Sequence, residues 1–255
     1  MDKRLIFNNN IDNYDIIRPT YPDELYNDIL KYINITNNTN AVEIGIGTGQ
    51  ATRPFLDKNF HVTAVDIGEK LINSVREKFS SYSNFNAILG DFMTEFLPEN
   101  NYDLIYSATA FHWLPDEKYL KVKKLLKSGG IIALFWNRPF VRNLDDITNV
   151  KNAKVYDRYY GVSDKAKQFS EEDTFKICSK LEESCFNDIK CEIYRRTRTL
   201  STGEYIKLLN TYSDHCSLPK AVKVDFENDI IKALSKCGNE INIYDTIDLY
   251  LGKKY

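Results

Sequence analysis

Three glycines on alternate positions, directly after an apolar run, constrain most strongly what this chain can fold into. The run is Ala41–Ile44, which carries a single acid, Glu43, and the glycines are Gly45, Gly47 and Gly49. An apolar segment that leads into such a turn predicts a buried strand of a parallel sheet. Glycine allows backbone angles that a Cβ forbids, and a helix that follows the loop would leave backbone N–H groups facing a ligand. The segment therefore predicts a nucleotide-type site.

Four more strand-like segments follow and alternate with helical patterns. The predicted strands are 61–66, 85–92, 102–108 and 131–136, and the predicted helices between them are 51–57, 70–79 and 116–126. This alternation predicts an open, mostly parallel α/β sheet. The second half is less regular, with a strand at 189–200, an edge strand at 241–251 and helices at about 201–212 and 221–236.

The length suits one large α/β domain that carries a small cap. We predict a single domain over 1–255, made of a helical lead-in or lid, a cofactor-binding core and a cap inserted after the fifth strand. The lead-in covers 1–40, the core covers 41–137, and the cap or substrate-side helices cover 138–188 and 201–240.

Composition excludes several classes of partner. The formal net charge is −2, which gives no electrostatic argument for nucleic acid or an anionic membrane. No apolar run approaches the roughly 20 residues that span a bilayer, and the first residues lack the apolar core of a signal peptide. The five cysteines form no Cys-x-x-Cys pair, which favours reduced thiols in the cytoplasm. His215 beside Cys216 lacks the ligand number of a zinc site, so we expect no metal. A monomer and a homodimer both stay open.

Three kinds of nucleotide site fit a glycine loop between a strand and a helix. A Walker P-loop needs Gly-Lys-Ser/Thr, which is absent here. A dinucleotide fingerprint needs a small residue where this chain has Gln50, so an NAD site is disfavoured. Asp66, which ends the second strand, could bind ribose hydroxyls in an NAD or an adenosyl site. Asp91, beside Phe92, could accept an adenine amino hydrogen while the ring packs on the base.

Taken together, these residues resemble the class I S-adenosylmethionine-dependent methyltransferases. Glu43-x-Gly45-x-Gly47-Thr48-Gly49 matches the first motif of that family, Asp66 its second-strand acid, and Gly90-Asp91-Phe92 its third-strand adenine motif. The run from Tyr14 to Pro22 resembles the lead-in of a type-11-like small-molecule subgroup that includes relatives of trans-aconitate methyltransferase. The resemblance is strong over about 14–136 and looser beyond.

The resemblance implies S-adenosyl-L-methionine as the cofactor and a Rossmann-like, seven-stranded, mostly parallel sheet whose last strand is antiparallel. It implies that Glu43 meets the methionine amino group and that Ser107 or Ala108 offers a carbonyl. The residues expected at the cofactor are Tyr14, Arg18, Glu43, Gly45, Gly47, Thr48, Gly49, Asp66, Ile67, Asp91, Phe92, Ser107 and Ala108.

On the acceptor side, His112 follows the fourth strand at the sheet edge where ligands bind in open α/β folds. As the candidate catalytic residue, it would line the acceptor pocket and act as a base or a hydrogen-bond donor, and the alternative is a structural loop histidine. Tyr21, Trp113 and Trp136 are the other candidate substrate-binding residues. The predicted function is methylation of a small molecule on oxygen or nitrogen. The alternatives are a non-catalytic S-adenosylmethionine-binding protein and an NAD-dependent oxidoreductase.

Overall fold

The computed structural model describes residues 17–33, 39–161 and 167–255. Seven strands form one sheet in the order β3-β2-β1-β4-β5-β7-β6. Their bounds are β1 Asn40–Ile44, β2 His61–Asp66, β3 Phe85–Leu89, β4 Tyr102–Ala108, β5 Leu126–Phe140, β6 Asn187–Ser201 and β7 Glu240–Lys253. Strand β7 pairs antiparallel with both β5 and β6, and the other neighbouring pairs are parallel. The predicted Rossmann-like sheet with an antiparallel last strand is confirmed.

Helices cover both faces of this sheet. Their bounds are α1 Asp23–Tyr32, α2 Arg53–Leu56, α3 Glu69–Lys78, α4 Lys118–Leu125, α5 Ile147–Tyr160, α6 Phe175–Glu183, α7 Thr202–Leu209, α8 Ser213–Cys216 and α9 Lys220–Leu234. Apolar side chains of α1, α2 and α3 pack on one face of the sheet, and those of α4 and α6 pack on the other. The cap helices α5, α7 and α9 form a third apolar cluster with the start of β7.

The prediction of an edge strand at 241–251 is wrong, because β7 lies between β5 and β6. Its polar residues Asp245 and Asp248 are fully buried instead of facing water. Arg138 on β5 holds Asp248 with two hydrogen bonds of 2.9 Å each, and Arg198 on β6 pairs with Asp245. Each buried carboxylate is thus neutralised by an arginine of a neighbouring strand, which lets a strand with acids occupy the interior.

The fifth strand is longer than predicted. It begins at Leu126, directly after α4 ends at Leu125, so that Gly129 and Gly130 lie inside β5 and not before it. The far end of β5 extends past the sheet edge to Phe140, which brings Asn137 and Pro139 to the site described below. Among the described residues, no helix combines the length and the apolar character that a membrane crossing requires.

Candidate active site

A cavity of about 430 Å³ opens where the strands β1 to β5 end. Residues from the glycine loop, the strand ends, the lead-in and the cap all line it: Arg18, Ile44, Gly45, Gly47, Val65, Asp66, Ile67, Leu71, Gly90, Asp91, Phe92, Ala108, Thr109, Ala110, His112, Trp113, Leu114, Pro139, Tyr212 and Asp214. A smaller cavity of about 60 Å³ shares Arg18, Gly45, Gly47, Ala108 and Thr109 with it. Two neighbouring cavities of these sizes suit a ligand with one large and one small part.

The glycine loop forms the floor between the two cavities. Gly45, Gly47 and Gly49 have positive φ angles of 70°, 57° and 78°, a region in which L side chains are strained. A Cβ on Gly45 would lie 2.5 Å from Cβ of Ala110, whereas a Cβ on Gly47 would meet no atom within 4 Å. Gly45 is therefore required by the protein's own packing, while Gly47 leaves an open cradle beside the cavity that a ligand can fill.

Asp66 braces this loop from the end of β2. Its two carboxylate oxygens accept backbone N–H bonds, one from Gly47 at 3.0 Å and one from Gly68 at 2.8 Å. Asp91, at the end of the next strand, accepts the N–H of Met93 at 2.9 Å, and both acids line the large cavity. Two carboxylates at successive strand ends, with Phe92 beside the second, suit the ribose and the base of an adenosine.

Because Asp66 holds the glycine loop, it should contribute to the stability of the protein as well as to ligand binding. Replacing Asp66 with Ala removes two backbone hydrogen bonds to a charged acceptor, so we expect a loss of about 2–4 kcal/mol in the free energy of unfolding. Chemical denaturation of the cofactor-free protein measures this loss. The comparison variant is Asp91→Ala, which removes the bond from the N–H of Met93 and leaves the glycine loop braced, so it should cost less. Equal losses would contradict the bracing role.

Glu43 is a buried carboxylate at the wall of the small cavity. Its Oε2 accepts hydrogen bonds from Thr52 Oγ1 at 2.7 Å and from the hydroxyl of Tyr106 at 2.9 Å. Burial raises the pKa of Glu43 to about 7, although these two hydrogen bonds oppose the shift. A carboxylate that is costly to ionise in the free protein suits a site whose ligand brings a positive charge.

The lead-in and the cap meet above the two cavities. The guanidinium of Arg18 donates to Oγ1 and to the carbonyl oxygen of Thr211, both at 2.9 Å, and lies 4.5 Å above the ring of Tyr212. Tyr21 exchanges a 2.8 Å hydrogen bond with Oγ1 of Thr109. Tyr21 also packs on the core against Phe135 and lines the small cavity.

His112 lies at the rim of the large cavity on a short 3₁₀ helix, Phe111–Trp113. The indole N–H of Trp136 donates to Nδ1 of His112 at 3.1 Å. Partial burial lowers the pKa of His112, and the positive charges of Arg138 and Lys118 lower it further. The histidine is thus held by a neighbour, and the lowered pKa favours its neutral form.

Most of the predicted site residues come together at the two cavities. The predicted residues that line them are Arg18, Tyr21, Glu43, Gly45, Gly47, Asp66, Ile67, Asp91, Phe92, Ala108, His112 and Trp113. Those that do not are Thr48, Gly49, Ser107 and Trp136. Gly49 packs against Phe79, Ser107 donates its hydroxyl to the carbonyl of Ile44 at 2.8 Å, and Trp136 is buried behind His112. Tyr14 lies outside the described residues.

The cavity residues that were not predicted include Thr109, Pro139, Tyr212 and Asp214. Thr109 has a positive φ of 57°, which is unusual for a β-branched residue and is typical of strained functional sites. No sequence signal marks that angle. Tyr212 and Asp214 come from the cap, whose fold carries no motif.

His215, in the same cap segment, is structural. It is buried, and its two ring nitrogens contact the hydroxyls of Tyr156 at 2.9 Å and Tyr160 at 3.1 Å. Within the described ranges, no three His, Cys, Asp or Glu side chains are grouped so as to hold a metal ion.

The sheet order, the glycine loop and the acids at the ends of β1, β2 and β3 together define a Rossmann-like protein that binds a nucleoside with an amino-acid tail. The described residues fit such a group. Gly47 leaves room at the floor, Asp66 and Asp91 lie at the large cavity, and Glu43 lies at the small one.

Comparisons with known proteins agree with this class. Residues 41–130 match a family model described as a methyltransferase domain. A protein of Schizosaccharomyces pombe described as an uncharacterized methyltransferase is 23% identical over 239 residues, which are 91% of this chain and 90% of that protein. Malonyl-[acyl-carrier protein] O-methyltransferase 2 of Ilyobacter polytropus is 36% identical over 97 residues, 36% of this chain and 37% of that protein.

A solved structure shares the fold. It is phosphoethanolamine N-methyltransferase 2 of Haemonchus contortus in complex with S-adenosylhomocysteine and phosphomonomethylethanolamine, with a TM-score of 0.59 at 13% identity. The match covers all of this chain and 60% of that one. Residues 41–130 are thus a methyltransferase domain, the chain resembles methyltransferases over most of its length, and S-adenosylmethionine is its cofactor.

Proposed function

We propose that this enzyme transfers the methyl group of S-adenosylmethionine to a small molecule that binds in the large cavity beside His112. The observation that carries the proposal is that the lining of the cavity comes from both sides of β1. Asp66 and Asp91 come from the ends of β2 and β3 on one side and suit the adenosine, while His112 and Pro139 come from the end of β4 and from β5 on the other side. The residues on the second side are those that we assign to an acceptor next to the cofactor.

The size and cover of the cavity support a small acceptor. In this proposal the cavity of about 430 Å³ takes both the adenosine and the acceptor, which favours a small acceptor. Arg18 and Tyr212 meet over it, so the lead-in and the cap shield the reacting atoms from water. An in-line displacement at a sulfonium gains most from alignment and from water exclusion, and this arrangement supplies both.

The acceptors of the relatives differ in the atom that is methylated. One relative is named as an O-methyltransferase and the solved neighbour as an N-methyltransferase. Because these names point to different atoms, the residues around this chain's own cavity decide the acceptor atom. All five cysteines are unpaired, which suits the reducing cytoplasm that we propose as the compartment.

The test combines binding with turnover. Calorimetry should detect S-adenosylmethionine binding that is lost in Gly47→Arg, since that side chain would occupy the open cradle below the cofactor. Incubation with a panel of small acids, amines and alcohols should then produce S-adenosylhomocysteine. Cofactor binding without any product would favour a non-catalytic binding protein, and the absence of cofactor binding would refute the proposal as a whole.

A further inference from the structure

We propose that Cys178 and Cys191 are a redox-sensitive modification site, which a small-molecule disulfide such as oxidised glutathione converts into a reversible intramolecular disulfide. Cys178 lies on α6 and Cys191 on the edge strand β6. Both are free thiols in this structure. The inference goes beyond the proposed function and does not depend on the methyl-transfer reaction.

The register of the sheet directs Cys191 toward α6. Cys191 lies opposite Tyr250 in the antiparallel pair of β6 and β7, and residues directly opposite each other in such a pair project from the same face of the sheet. Tyr250 is fully buried in the apolar cluster on the face that α6 covers. Leu181 and Cys178 of α6 pack in that same cluster. The thiol of Cys191 therefore projects from β6 on the side where Cys178 lies.

Thr174, at the start of α6, locates the two thiols relative to each other. Its Oγ1 lies 3.9 Å from Sγ of Cys191. Thr174 is the N-cap of α6 and precedes Cys178 by four residues, and residues at this spacing share one face of a helix. The thiol groups of Cys178 and Cys191 also share a hydrogen bond. One face of α6 thus presents both Thr174 and Cys178 to the same cysteine of the strand.

The two thiols differ in their access to an oxidant. Cys191 is exposed, whereas Cys178 is half-buried and packs against apolar side chains. Burial, together with the adjacent Cys191, raises the pKa of Cys178 to about 12. Because the thiolate is the nucleophile, Cys178 is a weak first nucleophile. The exposed Cys191 is therefore the thiol that reacts first with the oxidant.

The oxidation is a thiol–disulfide exchange in two steps. The thiolate of Cys191 attacks one sulfur of oxidised glutathione, which forms a mixed disulfide and releases one glutathione thiolate. Cys178 then loses its proton to solvent and attacks the Cys191 sulfur, which releases the second glutathione. The protein gives up two electrons and two protons, and the oxidised glutathione takes up both pairs. Because the second step is intramolecular, the proximity of the thiols offsets the small thiolate fraction of Cys178.

Peptide mapping tests the bond directly, because trypsin separates the three neighbouring cysteines. Cys178 falls in peptide 177–180, Cys185 in 181–190 and Cys191 in 191–195. The full-length protein is reduced, desalted and incubated with oxidised glutathione, and the remaining thiols are alkylated before digestion. We expect peptide 177–180 joined to peptide 191–195, with 181–190 joined to neither. Alkylation of both Cys178 and Cys191, or a glutathione that persists on Cys191 of the wild type, would overturn the inference.

Single serine variants separate the two thiols by their order of reaction. In Cys178→Ser, glutathione should stay on Cys191, since no second thiol displaces it. In Cys191→Ser, oxidised glutathione should modify Cys178 at least about tenfold more slowly, because that thiol is half-buried and has the raised pKa. The matched control is Cys185→Ser, which should form the disulfide as the wild type does. Loss of the disulfide in this control, or equal rates at Cys178 and Cys191 in the two variants, would overturn the inference.

Chemical denaturation tests whether the fold already places the two thiols for bonding. A disulfide that joins α6 to β6 without distortion restricts the unfolded chain, so the oxidised wild type should unfold at a higher denaturant concentration than the reduced protein. Dithiothreitol should reverse this shift, and Cys191→Ser should show none. A lower midpoint after oxidation would overturn the inference.

Cofactor binding serves as the control for folding of the variants. Both cysteines lie outside the described linings of the two cavities. Calorimetry of the reduced Cys178→Ser and Cys191→Ser variants should therefore give the wild-type affinity for S-adenosylmethionine. The readouts of the disulfide need neither cofactor nor turnover, so a failure of the proposed methyl transfer leaves this test intact.

Discussion

Affinity for S-adenosylmethionine is expected to fall by up to about tenfold per pH unit as the pH drops below about 7. The cause is Glu43, whose pKa burial raises to about 7 in the free protein. Below that value the carboxyl is protonated, and it must release its proton before it can pair with the cationic amino group of the cofactor. Above about pH 8 that amino group loses its own charge, so the affinity is greatest between the two values.

Calorimetry in buffers of different ionisation enthalpy measures both the affinity and the proton released. Glu43→Gln should weaken binding by about 10- to 100-fold near pH 7.5, the value of one charge-assisted hydrogen bond, and its affinity should no longer change between about pH 6 and 7. Thr52→Val removes a donor that favours the carboxylate, so it should move the onset of the fall to higher pH. A wild-type affinity that stays constant between about pH 5.5 and 7 would contradict this role of Glu43.

The same raised pKa has a cost for the stability of the cofactor-free protein. Because the folded pKa of about 7 lies above the ordinary value of 4.5, protonation favours the fold. The contribution is complete below pH 4.5 and is lost as the pH rises through about 7, which amounts to about 3 kcal/mol for a shift of this size. Glu43→Gln should therefore be more stable than the wild type at about pH 8 and lose that advantage at about pH 5, as measured by chemical denaturation.

Much of the cofactor side could be predicted from the sequence, because its signals are local. A buried strand, a turn with positive φ angles and an acid at a strand end each produce a short sequence pattern. Glu43 lies in the buried strand, Gly47 lies in the turn, and Asp66 is the acid at the strand end. Such patterns also predicted the first five strands. They did not show that Gly49 serves packing against Phe79, because an alternate glycine does not reveal which neighbour it faces.

The features of the fold and of the site that the sequence did not predict depend on contacts between residues far apart in the chain. The alternation of apolar and polar residues in 241–251 is typical of a strand with one solvent-exposed face. Asp248 and Asp245 are buried instead because they pair with Arg138 and Arg198 on the neighbouring strands. The bond between His112 and Trp136 joins two residues that the sequence assigned separately to the pocket. Both cases require the register of the sheet, which no single segment contains.

Replacement of Gly45 by Ala is expected to lower mainly the stability of the protein, whereas replacement of Gly47 by Ala is expected to lower mainly its affinity for the cofactor. Both have positive φ, so each substitution costs about 1–2 kcal/mol from the backbone alone. At Gly45 the new Cβ would also lie 2.5 Å from Cβ of Ala110, and neither atom can move by a rotation of a side chain. The clash should raise the loss for Gly45→Ala to about 3 kcal/mol or more in chemical denaturation.

At Gly47 the new Cβ meets no protein atom within 4 Å, and we expect it to enter the space that the cofactor fills. Gly47→Ala should thus keep most of the stability and lose at least about tenfold in cofactor affinity, since even a small steric overlap costs more than 1.4 kcal/mol. The matched control is Gly45→Ala combined with Ala110→Gly, which removes the clash and should recover the stability beyond the backbone cost. If the two single variants lost stability equally, the assignment of Gly45 to packing and Gly47 to the ligand would be wrong. A clear separation would locate the boundary between the residues that build the loop and the residue that leaves room for the methionine half of the cofactor.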